Sequence, residues 1–379
     1  MNILIAPDKF KDALSATEIC HFLQKGILQT FPKAHCTLLP LADGGEGTLE
    51  SLNSNFKGEF IYQTVQNPLF EAVSASYLYI PQNQTAVVEM ARASGIELLI
   101  PTKRNCLKTS SFGTGQLIKE AIQKGAKEIF LTVGGTATND GGMGIASALG
   151  FRFLANDGTV LQATGENLIA VASIDGSQVP AEVFNTKFTI ATDVTNPFFG
   201  ESGAAYVFAK QKGANEEGIQ LLDKGLQNMA QVLERHFGIN PQTLVGSGAG
   251  GGVAGGLAVL LNANIISAAS WILEINRVDD LLEKTNILVT GEGKVDSQTW
   301  DGKLISQLLS KAEAKAVPVI IVCGTLQDVE IVTKQKSVLY ATSILQEPST
   351  LENALANTPQ LLENQGMLLG KMLSSISFK

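Results

Sequence analysis

The two ends of the chain share one local grammar, and it restricts the fold more than any other feature. At the start, the apolar run Asn2 to Ala6 leads through a loop to Ser15-Ala-Thr-Glu18, the signature of a capping box. Ile19, Phe22, Leu23 and Ile27 then fall on one face at helical spacing, Phe31-Pro32 stops the helix, and Cys36 to Leu41 is a second apolar run. Near the other end, Asn286 to Thr290, Leu304 to Lys315 and Val317 to Cys323 repeat strand, helix and strand. Ser337 to Ile344 offers one more strand, and a long helix is predicted from Leu351 onward. Such alternation predicts a mostly parallel sheet with helices on both faces, because strands buried on both sides read as continuous apolar runs.

The middle is written differently. Phe60 to Val65, Ser74 to Ile80 and Thr85 to Met90 are closely spaced strand candidates without a helix between them, which predicts antiparallel pairing. Gln116 to Lys124, Glu128 to Val133 and Gly142 to Leu149 then read as helix, strand, helix. With 379 residues the chain exceeds one ordinary core. The expectation is therefore an α/β protein of two domains: a discontinuous parallel-sheet domain of residues 1–65 plus 268–379, which the resemblance given below makes flavodoxin- or Rossmann-like, with a second α/β domain of residues 66–267 inserted in it.

Composition excludes several functions. Hydrophobic residues make up 45% and charged residues 17%, which belongs to a folded protein. A net charge of −8 argues against a nucleic-acid partner, since such proteins concentrate Lys and Arg to displace counterions. The N-terminus does not read as a signal peptide and no apolar run is long enough to span a membrane, so a cytoplasmic protein is expected. Cys20, Cys36, Cys106 and Cys323 form no CxxC pair, and His21, His35 and His236 show no metal-ligand spacing.

Chemistry is expected in the loops that follow the strands, because ligands of open α/β sheets bind at the carboxyl ends. Ala6-Pro-Asp-Lys-Phe-Lys11 places Asp8 and Lys11 directly after a strand, where the alternative is a solvated turn. In Asp43-Gly-Gly-Glu-Gly47, Gly44 and Gly45 allow backbone N–H groups to approach an anion, and the carboxylates of Asp43 and Glu46 suit Mg²⁺. Gly134-Gly-Thr-Ala-Thr-Asn-Asp-Gly-Gly142 could cradle phosphate through a backbone nest with Thr136 and Thr138, or be purely structural. Thr290-Gly-Glu-Gly-Lys-Val-Asp-Ser-Gln-Thr299 carries Glu292, Lys294 and Asp296, and Ala191-Thr-Asp-Val-Thr-Asn-Pro197 carries Asp193, which an Asx turn would also explain. The run Gly246 to Gly256 reads as a linker or a phosphate loop.

The widespread nucleotide motifs are missing: there is no GxxxxGK[ST], no protein-kinase HRD or DFG, and no GxSxG. Phosphoryl transfer nonetheless suits the inventory, since it needs carboxylates for Mg²⁺, cations such as Lys11, Lys212 and Lys303 for phosphates, and one acid near the hydroxyl. These residues alone leave a kinase and another cleft enzyme both open.

Taken in order, Ala6-Pro-Asp-Lys-Phe-Lys, Pro40-Leu-Ala-Asp-Gly-Gly-Glu-Gly-Thr, Glu89-Met-Ala-Arg-Ala-Ser-Gly, Gly134-Gly-Thr-Ala-Thr-Asn-Asp-Gly-Gly, Asp193-Val-Thr-Asn-Pro and Gly291-Glu-Gly-Lys-Val-Asp-Ser-Gln-Thr resemble the type I bacterial glycerate kinase family along essentially the whole chain. The resemblance implies an ATP-dependent kinase acting on D-glycerate, giving 2-phosphoglycerate, with ATP and Mg²⁺, a flavodoxin-like domain and an active site in a cleft between two domains. The placement of the polar residues on loops at strand ends adds the expectation that Asp193 takes the hydroxyl proton, that Lys11 meets the substrate carboxylate or phosphates, and that Asp43, Glu46, Glu292 and Asp296 share Mg²⁺. Asp8, Gly44, Gly45, Gly135, Thr136, Thr138, Asn139, Asp140 and Gly141 would face substrate or nucleotide phosphate. The sequence departs from the family wording at Lys9, Asp12-Ala13, Thr136 and Lys210. Rival readings are a kinase for another short hydroxy acid and a two-lobed protein that binds a small acid without chemistry, and either a monomer or a homodimer is expected.

Overall fold

The computed structural model describes residues 1–375 except Asp43, Glu46, Asp301 and Gly302, and only the backbone of Gln298. The chain divides into two compact units: Met1–Asp43, Glu50–Asn55 and Ala269–Lys379 make one, Gly44–Leu49 and Phe56–Ala268 the other. The strands of the two main sheets are, in chain order, β1 (Asn2–Ile5), β2 (His35–Leu38), β3 (Glu59–Gln66), β4 (Ala72–Ile80), β5 (Thr85–Glu89), β6 (Glu128–Thr132), β7 (Lys187–Ala191), β8 (Asn264–Ile266), β9 (Ile287–Thr290), β10 (Val319–Cys323) and β11 (Val338–Ser343).

In the first unit the sheet order is β11-β10-β9-β1-β2, and every pairing is parallel. Counted along the chain within this sheet the order is 2-1-3-4-5, the flavodoxin-like arrangement, with its topological switch between β1 and β9. Alternate strand residues Ile3, Ile5, Ile287, Val289, Ile320 and Val322 share one core with Ile19, Leu23, Leu362 and Leu369 of two helices. Each such side chain contributes about 1.5–3 kcal/mol when fully buried. The first helix, Ala16–Thr30, starts with the expected capping box, Ser15 and Glu18 bonding each other's backbone N–H groups. It crosses the C-terminal helix Leu351–Ser374 so closely that a Cβ on Gly26 would lie 2.1 Å from the Glu363 carbonyl oxygen. Only glycine permits that approach.

The second unit holds a mixed sheet of order β8-β7-β6-β5-β4-β3. β5 to β8 run parallel, while β3, β4 and β5 pair antiparallel as their spacing predicts. The expected boundary after residue 65 falls inside β3, which pairs along its length with β4 in this sheet. A tight turn makes that hairpin, the Asn67 Oδ1 accepting the N–H groups of Leu69 and Glu71. The helix Glu216–Phe237 has no counterpart among the expected elements. It is capped by Asn215 at its start and by left-handed Gly238 at its end, and it buries Leu222, Leu226, Met229 and Leu233 in the core around Phe153 and Phe198.

Candidate active site

Polar groups gather at the carboxyl ends of parallel strands in both sheets. In the first unit the chain leaving β1 is fastened to the chain leaving β9: Ala6 N–H donates to the Val289 carbonyl, Asp8 N–H to the Gly291 carbonyl, each at 2.8 Å, and the Thr290 hydroxyl donates to the Ala6 carbonyl. These bonds stand at the switch point, where an open sheet leaves a crevice. Gly293 lies against this loop, since a Cβ there would be 3.3 Å from the Lys11 nitrogen. Asp8 is buried and accepts the Lys9 N–H at 2.7 Å, whereas Lys11 is exposed. Glu292 and Asp296 are half-buried on the second loop, and Lys294 pairs with Asp296 at 2.7 Å. The structure thus brings Asp8, Lys11, Glu292 and Asp296 to one end of one sheet.

In the second unit four neighbouring strands, β5 to β8, end in Glu89, the Gly134 loop, Asp193 and Ser267. Thr192 N–H donates to the Ile266 carbonyl, and this aligns the Ser267 hydroxyl to donate to Asp193 Oδ1 at 2.7 Å. Gly44 and Gly45 lie over this edge: a Cβ on Gly44 would meet the Ala268 Cβ at 2.6 Å, and one on Gly134 would stand 3.4 Å from the Gly45 Cα. Gly44 has φ +82°, a conformation glycine adopts without strain. Glu89 is buried, accepts the Leu49 N–H at 2.9 Å and the Arg92 Nε at 2.9 Å, and so anchors the chain just beyond Gly47. The metal-ligand expectations for Asp43 and Glu46 lie outside the described residues.

The loop after β6 splits into two halves. Gly134 and Gly135 reach solvent, while Thr136, Thr138, Asn139 and Asp140 are buried. Asp140 accepts the N–H and hydroxyl of Ser111 at 2.7 and 2.8 Å and the N–H groups of Gly142 and Gly144. Burial pushes its pKa up, and those hydrogen bonds oppose the shift. Its carboxylate shapes the loop from within. Lys212, also buried, donates to the Thr136 hydroxyl at 3.0 Å and the Thr138 carbonyl at 2.8 Å. Among the described residues, the Thr138 hydroxyl, both side-chain polar atoms of Asn139 and the Ser247 hydroxyl are buried without a hydrogen-bond partner.

Gly246 to Gly256 is neither a linker nor an exposed loop. It is almost wholly buried, with Gly250, Gly251 and Gly252 at positive φ, and it packs on Thr138 to Gly142. Ser111, Ser267 and Glu89 carry this architecture and were not among the expected site residues. Only Glu89 had a signal, its place at the end of an apolar strand within a quoted motif.

A family model described as the glycerate kinase family matches residues 3–374. A glycerate kinase of Halalkalibacterium halodurans is 37% identical over 362 residues, 96% of this chain and 95% of that one. The glycerate 2-kinase of Escherichia coli is 36% identical over 354 residues, 93% of each chain. A crystal structure of a Salmonella typhimurium LT2 protein proposed to be glycerate kinase 2 superposes with a TM-score of 0.89 at 35% identity, covering 99% of this chain and 98% of that one. With strand-end polar loops in two α/β units, these likenesses define the protein as a small-molecule kinase. It belongs to the glycerate kinase family. Among the described residues, no helix is long and apolar enough to cross a membrane.

Proposed function

We propose that this kinase transfers the terminal phosphoryl group of ATP to the 2-hydroxyl of D-glycerate, giving 2-phosphoglycerate and ADP with the help of Mg²⁺. The observation that carries the reading is the alignment to the E. coli glycerate 2-kinase over 93% of both chains. Carboxylates, cations and glycine backbone at the strand ends support the reading, since these are the residue types that phosphoryl transfer uses.

Asp193 is the general base. The hydroxyl oxygen of glycerate forms the new bond to phosphorus, the bond from that phosphorus to the bridging oxygen of ADP breaks, and the hydroxyl proton passes to the Asp193 carboxylate. Ser267 donates to Oδ1 and fixes the plane of that carboxylate. Lys11, an exposed cation beside a strand end, balances phosphate or carboxylate charge. Gly44 and Gly135, both at positive φ, offer backbone to oxyanions where a side chain would strain the turn, and Gly45 offers backbone beside Gly134.

Mg²⁺ suits this loop chemically, because Glu292 and Asp296 would supply carboxylate oxygens beside the switch point, and this ion commonly takes one or two carboxylates with substrate phosphates. When bound, it neutralises charge developing on the phosphoryl oxygens. Purified protein with ATP, Mg²⁺ and a panel of hydroxy acids should release ADP selectively with D-glycerate, and ³¹P NMR should place the phosphate on carbon 2. Selective turnover of a different acid, or phosphate on carbon 3, would overturn the assignment.

A further inference from the structure

We infer that Lys212 is a positioning residue for phosphoryl transfer: its buried ammonium ties the Thr136 hydroxyl to the Thr138 carbonyl and so fixes the bend that carries Gly134 and Gly135 to the surface. The inference rests on the kinase reading above. It starts from an energetic puzzle. Lys212 is 5% exposed, and burying an ammonium costs several kcal/mol unless its surroundings compensate. A neutral donor would make the same two hydrogen bonds without that cost.

The groups around Lys212 do not use its charge fully. Asp140 faces it, but that carboxylate is already engaged by Ser111, Gly142 and Gly144. Cys106 also faces it, its thiol pushed up to about 11 by burial and so uncharged near neutral pH. Arg104 touches the neighbouring Gly213 through its backbone carbonyl, and its guanidinium approaches Glu97. The positive charge is left to act along the loop. The loop's exposed end is the pair Gly134 and Gly135 at the end of β6, where an anionic phosphoryl group would be handled.

Among the described residues, the other hydrogen bonds at Gly135 and Ala137 join neutral groups. Ala137 N–H donates to the Ser94 carbonyl, the Thr109 hydroxyl to the Ala137 carbonyl, and Ile96 N–H to the Gly135 carbonyl. Lys212 is itself held, because Cys106 N–H donates to its carbonyl and Gly213, at φ +92°, lies against Arg104. Lys212 therefore presents one charge from a fixed backbone to two fixed acceptors.

Burial brings the Lys212 pKa down to about 8, with Cys106 and Asp140 opposing that shift. The sign of the consequence follows. Between about pH 8 and the unfolded lysine value near 10.4, the unfolded chain holds a proton that the folded chain has lost, so stability rises with pH there. Over the same interval the positioning charge disappears and turnover falls. Activity and stability move in opposite directions, which neither unfolding nor a merely structural lysine would produce.

The test measures kcat, both KM values and urea midpoints from pH 6 to 10 for the wild type, Lys212→Met and Thr136→Val. The wild type should lose kcat about tenfold per pH unit above about pH 8 while its urea midpoint rises. Lys212→Met should lose at least about tenfold in kcat at pH 7 with KM changed less than about threefold, and should lack the alkaline limb. A folded Lys212→Met with wild-type kcat, or with the limb intact, overturns the inference. If that variant does not fold, Thr136→Val decides: losing one acceptor should move the limb to lower pH, and an unmoved limb overturns the inference. Absence of wild-type turnover with D-glycerate overturns the substrate reading and this inference with it, whereas turnover with unmoved limbs overturns the inference alone.

Discussion

The loops after β1 and β9 in one sheet and the loop after β6 in the other occupy the same station, yet they are built in opposite ways. Around β1 and β9, Asp8 is buried, but Lys11 and Lys294 are exposed and Glu292 and Asp296 half-buried. Behind β6 the charged groups Asp140 and Lys212 are buried and hydrogen-bonded inward, and only glycine backbone faces out. The difference matches the two tasks proposed for these loops. An anion can be located by rigid backbone, which needs a support that does not move, whereas a hydrated metal and a mobile substrate are served by carboxylates and cations that can adjust.

The largest effect that sharpens this contrast is expected at Asp193, which shares a unit with the buried loop but is only half-buried. Asp193→Asn keeps the size and the Ser267 contact while removing the base. It should lower kcat by about 10²–10⁴-fold with little change in the unfolding midpoint. Near-normal kcat in an ADP-release assay would remove Asp193 from the reaction. Next in size, Asp140→Asn should destabilise the protein by about 3 kcal/mol in urea unfolding, because a charged acceptor of several buried donors is replaced by an amide that cannot satisfy them all. A loss below about 0.5 kcal/mol would show that the two loops are not built differently after all.

Much of this was legible in the sequence, for reasons that can be located. Continuous apolar runs gave β1, β9 and β10, and the capping box at Ser15 gave the first helix, because burial on both faces and N-terminal capping leave local marks. The polar loops could be found because they follow those runs. What each loop does with its residues could not be found that way. Thr138, Asn139 and Asp140 read as phosphate-binding residues but lie inside, where Gly251 packs on Thr138 and Asn139 from more than a hundred positions away. The helix Glu216–Phe237 shows the reverse: its cap at Asn215 and apolar spacing are local and readable, yet no expected element covered it.

A smaller effect is expected at Glu292. Glu292→Gln should raise the half-saturating Mg²⁺ concentration about tenfold, equivalent to about 1.4 kcal/mol, and change stability by less than about 0.5 kcal/mol. An unchanged metal titration would take Glu292 out of the metal shell and weaken the claim that the β9 loop is the adjustable one.

The smallest effect is expected at Lys294, where it tests the partner of the same loop. Its ion pair with Asp296 is largely solvent-exposed on the lysine side, so Lys294→Met should change stability by less than about 1 kcal/mol, and less still at high salt. Its effect on metal use has a definite sign. If Asp296 serves Mg²⁺, the ammonium competes with the ion for that carboxylate, and removing it should lower the half-saturating Mg²⁺ concentration by about threefold, roughly 0.7 kcal/mol. Raising ionic strength should shrink the gap between variant and wild type, because salt screens the ammonium that the variant lacks. A variant that needs more Mg²⁺ than the wild type would mean that Lys294 holds Asp296 in place instead of competing for it, and the β9 loop would then be positioned by an exposed ion pair where the β6 loop is positioned by a buried ammonium on neutral acceptors.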